Sequence, residues 1–301
     1  MMFQKANPII IREMRGRMRG WRAFVVLTAY LLLLSCLVGS VYAVAYQSSS
    51  TSYGLNAPNV QYGALIGKSI FSSTVLLLLA MISFIAPAFT AGAIAGERER
   101  QTYEILLVTP MRARQIVGGK LGSVFLFLLL LILASLPIQS LAFLFGGVEL
   151  AEMLIAALGL LVTALSFGAL GLYISSRSGT TMVAIVKAYA FIILFVYALP
   201  IVLFYIISFV GFFDSAKPMA LALMQILVYG LGFLLSLNPF IAAIGTAAVA
   251  ADGQGYFLFK LPLPAELWLP SPWLVYVAFY TLLTIVLLGL TIRRVGRMSD
   301  K

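Results

Sequence analysis

The side chains that usually carry enzyme or metal chemistry are scarce in this sequence. It contains no histidine and a single cysteine, Cys36. A Ser-His triad, a Cys/His zinc or haem site and an internal disulfide are therefore excluded. The aspartates Asp214, Asp252 and Asp300 all fall outside the long apolar segments, so they do not predict an aspartyl dyad inside a membrane. We expect no catalytic residue, no metal site and no enzyme activity in this chain.

One segment is close to a phosphate-binding loop without matching it. Gly63 and Gly67 precede Lys68 and Ser69, but only three residues separate the two glycines, whereas the P-loop motif needs four. The segment also has no predicted strand before it, and we expect it to lie in an external loop. ATP and Mg²⁺ are therefore not expected to bind to this chain, and no cofactor is predicted.

The elements that must position any functional group are predicted to be membrane-spanning helices. Hydrophobic residues make up 62% of the 301 residues and charged residues only 10%, against about 25% charged residues in soluble proteins. The apolar residues form blocks long enough to cross a hydrocarbon core of ~30 Å. We predict an all-α polytopic membrane protein, a single domain over residues 1–301. Its six predicted spans are residues 23–46, 70–96, 121–145, 150–175, 188–211 and 273–292.

A further apolar stretch, residues 219–250, is not predicted to be a single straight membrane-spanning helix. It is interrupted by Gly230, by Gly232 and by the Asn238-Pro239 pair. Irregular backbone at membrane depth is tolerated only where protein or a water-filled cavity surrounds it. We interpret the stretch as a re-entrant or outer-leaflet helical hairpin before the last span, within an external region 219–272. Whether it crosses the membrane is left open.

The basic residues orient these spans. All but three of the 20 Lys and Arg residues fall on one side of the predicted topology, the exceptions being Lys68, Lys217 and Lys260. Positively charged loops remain in the cytoplasm, so both termini are predicted to be cytoplasmic. This arrangement also explains the net charge of +10 without a nucleic-acid partner. We expect a multi-pass protein of the cell membrane, such as a bacterial or archaeal inner membrane.

The N-terminal segment predicts a helix that lies on the membrane surface. Asn7 is a suitable N-cap, and Pro8 suits the first helical position. Isoleucine, methionine and tryptophan side chains then share one helical face, and arginines occupy the other. We predict an interfacial helix over residues 7–22, with four arginines binding anionic lipid phosphates. These residues are Arg12, Arg15, Arg19 and Arg22. A topology anchor and a mechanical role are equally open.

The segment between the second and third spans carries an unusual charge pattern. Glutamate and arginine alternate over residues 97–100, apolar residues follow Glu104, and Pro110 ends the helix. Arg112 and Arg114 are expected to be exposed. The pattern predicts a compact helix-turn-helix at the inner membrane surface, small enough to fit a groove on a cytoplasmic partner. An ordinary solvated loop is the alternative.

This segment resembles the permease pattern of ABC type-2 exporters, in which E-R-E, T-x-E, two leucines, T-P and G-K follow in that order. The matching residues are Glu97, Arg98, Glu99, Thr102, Glu104, Leu106, Leu107, Thr109, Pro110, Gly119 and Lys120. The Asn-Pro start, the basic amphipathic helix and the long first span are similar to the same class. Gln101 stands where family members often have glycine.

The resemblance implies the membrane-spanning permease subunit of an ATP-binding cassette exporter. Its partners would be the lipid bilayer, a second permease, identical or related, and separate cytoplasmic ATPase subunits that bind ATP and Mg²⁺. Residues 97–120 would form the coupling segment that docks on the ATPase. The coupling residues that the resemblance implies are Glu97, Arg98, Glu99, Arg100, Thr102, Glu104, Thr109, Pro110, Arg112, Arg114 and Lys120.

Two other functions stay open at this point. A secondary carrier or channel would fit the same spans, although carriers usually hold ionisable groups at mid-depth, and these spans have almost none. A membrane scaffold for the maturation of an exported enzyme is the second alternative. The apolar spans weakly favour a lipid-like, hydrophobic or peptidic cargo over a small ion.

Overall fold

The computed structural model describes residue 13 and residues 21–52, 59–101, 112–214, 221–253, 255–261 and 267–299. Within these ranges, six helical segments are long and apolar enough to cross a membrane, which confirms the all-α polytopic fold. In chain order the elements are α1 (Trp21–Ser52), α2 (Asn59–Glu99), α3 (Ala113–Leu144), α4 (Leu150–Arg177), α5 (Thr181–Ile192), a π-helical segment (Ile193–Ala198), α6 (Leu199–Asp214), α7 (Leu221–Ser236), α8 (Pro239–Ala251), β1 (Leu258–Leu261), β2 (Leu267–Pro270) and α9 (Pro272–Ser299).

Most of these helices extend beyond the apolar blocks that predicted them. Helix α2 begins at Asn59 rather than near residue 70, so the glycine segment at residues 63–69 is helical and not an external loop. Helix α3 begins at Ala113, so residues 113–120 are its first two turns and not a separate short helix. The reason is that hydropathy marks only the part of a helix inside the hydrocarbon, whereas the helix continues into the hydrated interface.

Helix α2 lies at the centre of the bundle. It packs against α1, α3, α4, α5 and α8, and its closest neighbour is α4. Leu78 and Ile82 of α2 are almost completely buried, as is Leu160 of α4. The other helices expose many apolar side chains, as expected for surfaces in contact with lipid. Helices α2, α4 and α9 end, and α3 and α5 begin, at one end of the bundle, which we call the basic end.

The contact between α2 and α4 depends on a glycine. A Cβ atom added to Gly171 would clash with Thr90 Oγ1 and would lie 3.2 Å from the backbone nitrogen of Ala91. Thr90 is completely buried and donates to the carbonyl of Ala86 at 2.8 Å. Small residues of this kind let two membrane helices approach closely, where packing contacts stabilise the pair. The central pair of the bundle is therefore intolerant of a larger residue at position 171.

The fifth span is interrupted by a π-helical segment, Ile193–Ala198, which ends two residues before Pro200. Proline has no N–H, so Pro200 leaves the carbonyl of Val196 without its usual helical donor. The side-chain amide of Asn238 donates to this carbonyl at 2.6 Å. A distant residue thus satisfies the backbone group that proline leaves open, as the low-dielectric interior of a membrane requires.

Helices α7 and α8 form the interrupted stretch predicted from the sequence. They meet at a bend of 114°. Asn238 is the N-cap of α8, and its side-chain oxygen accepts from the amides of Phe240 and Ile241 at 2.9 and 3.1 Å. Pro239 follows as the first helical residue, where a missing N–H costs nothing. The predicted break at Asn238-Pro239 is confirmed, and a straight crossing over residues 221–251 is excluded.

A short β-hairpin follows α8, and the sequence analysis did not predict it. Strands β1 and β2 pair antiparallel, with Lys260 opposite Trp268. The Lys260 ammonium lies 4.7 Å from the centre of the Trp268 ring, and 55% of Trp268 is exposed. This hairpin lies at the end of the bundle opposite to the basic end, beside the start of α9.

Candidate functional site

A charge cluster joins three parts of the chain at the basic end of the bundle. The Lys120 ammonium lies 3.3 Å from Glu13 Oε1 and 3.4 Å from Glu97 Oε1. Only 4% of Lys120 is exposed, whereas the two carboxylate side chains remain partly exposed. A second contact strengthens the link to Glu13, because the Ser123 hydroxyl donates to its Oε2 at 2.5 Å.

The local structure explains why these groups meet. Lys120 lies two turns after the start of α3, and Ser123 lies about one turn further on, so both share a face of that helix. Glu97 belongs to the last turn of α2. The cation is therefore held between the end of the second span and the predicted interfacial segment. We call Glu13, Glu97, Lys120 and Ser123 the charge cluster.

The two residues after Glu97 tie α2 to the turn between α4 and α5. The Arg98 guanidinium donates to the carbonyl of Ser178 at 3.2 Å. Glu99 Oε2 accepts from the backbone N–H of Thr181 at 2.9 Å. Thr181 is the first residue of α5, so this carboxylate also complements the positive N-terminal end of that helix. The E-R-E run thus places three consecutive side chains on three different elements.

The turn that leaves α2 has a strained residue. Gln101 has φ +58°, in the left-handed region, and its N–H donates to the carbonyl of Arg98 at 3.1 Å. Helices commonly end in this way, and glycine is the usual residue at the left-handed position. The glycine that family members often carry here is therefore explained by backbone conformation. Gln101 adopts the same turn at a steric cost.

The start of α3 presents exposed positive charge. The backbone N–H of Arg112 donates to the side-chain oxygen of Gln115 at 3.0 Å, which fixes the first turn. Arg112 and Arg114 are both exposed, as predicted, and so is Arg100 at the end of α2. The charges of Arg112 and Arg114 add to the positive N-terminal end of α3, whereas Arg100 follows the C-terminal end of α2. The segment between Gln101 and Arg112 is thus flanked by exposed cations suited to an acidic surface.

The structure brings only part of the predicted site together. Glu97, Arg98, Glu99 and Lys120 make contacts within the chain, and their role in coupling stays a prediction. Several predicted site residues lie outside the described residues: Arg12, Arg15, Arg19, Thr102, Glu104, Thr109 and Pro110. Arg22 is the second residue of α1, and its side chain lies outside the described part of the structure.

Four members of this site were not predicted from the sequence: Glu13, Ser123, Ser178 and Thr181. One signal pointed to Glu13, since it is the only acidic residue before Glu97 and lies within a strongly basic segment. Such an isolated acid predicts a specific cationic partner. Nothing in the sequence marks the serines or Thr181, because only tertiary contacts give them a role.

Two polar side chains of the spans, Gln139 and Lys187, lie apart from the charge cluster. Gln139 is buried and donates to Ser135 within its own helix at 2.9 Å, so it does not bond a neighbouring helix through this contact. Lys187 is exposed near the start of α5. Among the described residues, no group of His, Cys, Asp or Glu side chains is placed to hold a metal ion.

A comparison with known protein families gives a match over nearly the whole chain. The family described as "ABC-2 family transporter protein" matches residues 7–298. No curated protein matches the sequence. The matched region includes the charge cluster, the E-R-E run, the bent helix pair and the last span.

Proposed function

The chain belongs to the ABC-2 family of transporter proteins, and from this premise we propose that it is the permease subunit of an ATP-driven exporter. In this proposal a separate ATPase subunit binds ATP and Mg²⁺ and docks at the basic end, which faces the cytoplasm. A second permease, identical or related, completes the pathway in the cell membrane. The chain itself supplies shape and coupling and no catalytic group.

The observation that carries the proposal is the set of contacts around the E-R-E run. Glu97, Arg98 and Glu99 connect the end of α2 to α3, to the turn after α4 and to the start of α5. A partner that pushes on the segment after Gln101 therefore acts on three spans at once. Packed helices and ion pairs with discrete arrangements are suitable carriers of such coupling.

The exposed cations supply the docking contacts in this proposal. Arg100, Arg112 and Arg114 flank the segment, and all three are exposed. We infer that they meet acidic groups of the ATPase, whereas the buried Lys120 transmits the movement within the permease. The resemblance implies one set of coupling residues, whereas this proposal divides their roles. A residue that is only 4% exposed, such as Lys120, offers no surface for docking.

The spans themselves favour an external energy source over an ion gradient. Six candidate spans were found among the described residues, and the charge cluster lies at their end rather than at mid-depth. Carriers driven by ion gradients usually need ionisable groups near the middle of the membrane. Uncharged hydroxyls supply polar contacts in the interior, and those of Thr163 and Tyr276 bond to each other across helices at 2.8 Å.

The test uses charge reversal of exposed residues, so that folding is preserved. Arg112→Glu/Arg114→Glu is compared with Lys187→Glu/Arg293→Glu, a matched double variant of exposed cations at the same end. Each permease is co-expressed with its candidate ATPase subunit, and stimulation of ATP hydrolysis is measured. We expect the first variant to weaken association by about tenfold and to lose stimulation, because like charges then face each other.

The control variant is expected to stimulate hydrolysis as the wild type does. Equal stimulation by both double variants would refute docking at this segment. Transport by the purified chain in vesicles with an ion gradient and no ATPase would refute the proposal as a whole and favour a secondary carrier. Full biological activity with a hydrolysis-deficient ATPase would instead favour the scaffold function.

A further inference from the structure

A second site lies at the opposite end of the bundle, between α2, α4, α8 and α9. These helices enclose a cavity of about 100 Å³ that opens to the outside at its mouth. An engineered apolar cavity of roughly 150 Å³ binds benzene in another protein, so a cavity of this size admits a segment of a hydrocarbon chain. None of its lining residues belongs to the charge cluster, so whatever binds here is separate from docking of the ATPase.

The cavity exists because small residues line it. Ala156 and Gly159 of α4 face Ala243 and Ala247 of α8 across the space, and larger apolar side chains complete the walls. A Cβ atom added to Gly159 would meet nothing within 4 Å, so the space beside it is empty. Apolar walls of this kind suit a hydrocarbon chain.

The walls also contain the hydroxyl groups of Ser72, Thr246 and Tyr276, and they hold one pair of charged side chains. Lys68 and Glu152 both line the cavity, and their charged groups lie 3.7 Å apart. This separation is too long for a hydrogen bond. Within the described residues, neither charged group makes a hydrogen bond, although 27% of the Lys68 side chain and 12% of the Glu152 side chain are exposed. The neighbouring Glu149 differs, because it accepts from the Tyr256 hydroxyl at 2.6 Å, which raises the pKa of Tyr256 to about 12.

A loose, partly buried ion pair can be replaced by contacts to a ligand, if that ligand carries both a positive and a negative charge. Desolvation offsets much of the attraction within such a pair unless further hydrogen bonds satisfy both groups. An anionic headgroup would be attracted by Lys68 and repelled by Glu152. An uncharged amphiphile would leave both groups as they are. A zwitterionic headgroup offers a phosphate to the ammonium and an amine to the carboxylate, in charge-assisted hydrogen bonds.

We propose that this cavity binds a zwitterionic phospholipid of the phosphatidylethanolamine type, with an acyl chain between α4 and α8 and its headgroup at Lys68 and Glu152. The position of the pair agrees with this assignment. Lys68 lies near the start of α2 and Glu152 in the first turn of α4, and Trp273 lines the same cavity at the start of α9. Tryptophan is enriched at the headgroup level of membranes.

The proposal is tested by native mass spectrometry of the full-length chain in mild detergent. The chain is mixed with dioleoyl phosphatidylethanolamine, with dioleoyl phosphatidylglycerol or with dioleoyl glycerol, which share their acyl chains. We expect one phosphatidylethanolamine per chain, bound about tenfold more tightly than either of the other lipids. Equal binding of the three lipids would overturn recognition of the headgroup.

Matched variants locate the bound lipid. Lys68→Ala is expected to weaken phosphatidylethanolamine binding about tenfold, whereas Lys260→Ala, which removes a cation from the same end of the bundle, leaves it unchanged. Gly159→Leu fills the cavity and should abolish the bound lipid, whereas Gly289→Leu makes the same change at an exposed helical position. If the Gly159→Leu variant retained as much lipid as the Gly289→Leu variant, the lipid would lie outside the cavity. That result would overturn the proposed site.

A charge swap keeps the test decisive if single variants fold poorly. Lys68→Glu/Glu152→Lys preserves both charges and exchanges their places. A zwitterionic headgroup can turn to meet the exchanged pair, so binding should remain within about threefold of the wild type. Loss of binding in a swap variant that unfolds at the wild-type temperature would overturn the headgroup assignment.

Discussion

Replacing Lys120 with methionine should destabilise the chain, because it removes the cation that the charge cluster encloses. Methionine keeps most of the apolar stem and loses only the ammonium group. Glu13 and Glu97 would then lie near each other without the positive charge that now lies 3.3 and 3.4 Å from them. The structure therefore predicts that the main effect is electrostatic rather than a loss of packing.

The size of the effect follows from the burial of the three groups. Removing one partner of a fully buried ion pair costs about 3–5 kcal/mol. Here the lysine side chain is only 5% exposed, but the glutamates are 21% and 31% exposed, so water replaces part of the lost interaction. We expect a loss of about 2 kcal/mol in the free energy of unfolding. The corresponding fall in the apparent melting temperature is about 4 °C.

The assay is thermal unfolding of the full-length chain in detergent, followed by tryptophan fluorescence. Lys120→Met is compared with Lys120→Met/Glu13→Gln/Glu97→Gln, in which the whole cluster is neutral. The triple variant should recover most of the lost stability, because its carboxylates no longer repel each other. Two results would refute the electrostatic explanation. One is a Lys120→Met variant with the melting temperature of the wild type, and the other is a triple variant no more stable than the single variant.

Three further predictions concern the backbone and the helix contacts. Gln101→Gly should raise stability by about 0.5–1 kcal/mol, measured as a higher melting temperature, because glycine adopts the left-handed turn without strain; Gln101→Ala should give no gain. Asn238→Asp keeps the helix cap but loses the amide donor to the fifth span, so it should cost about 2 kcal/mol in the same assay, and an unchanged melting temperature would contradict this contact. Gly171→Ala should cost about 2 kcal/mol through its clash with Thr90, whereas Gly159→Ala, which meets open space, should cost little.

The spanning helices were predictable from the sequence because bilayer thickness fixes their length. Bilayer thickness sets the length of an apolar segment, so hydropathy located the helices that the structure contains. The Asn238-Pro239 pair likewise marked the bend between α7 and α8, because its cap and helix-start preferences are local. The helix ends were less predictable, since polar turns of α2 and α3 beyond the hydrocarbon carry no hydropathy signal.

The contacts of the site were not predictable, because they join residues far apart in sequence. The E-R-E pattern identified Glu97, Arg98 and Glu99, but their partners lie on other elements. The contact made by the π-helical segment before Pro200 also joins residues far apart in sequence. A proline within a span predicts a local distortion, whereas the residue that satisfies the open carbonyl comes from another part of the chain. The hairpin of β1 and β2 was missed since each strand has only four residues.

The hydrogen bond between Asn238 and the carbonyl of Val196 constrains how the molecule can change shape. To separate the fifth span from the bend, the chain would have to expose a backbone carbonyl and a side-chain amide away from water, at a cost of several kcal/mol. The fifth span and the start of α8 should therefore move together as one rigid body. The distance between a probe on the fifth span and a probe at the start of α8 should stay constant during a transport cycle.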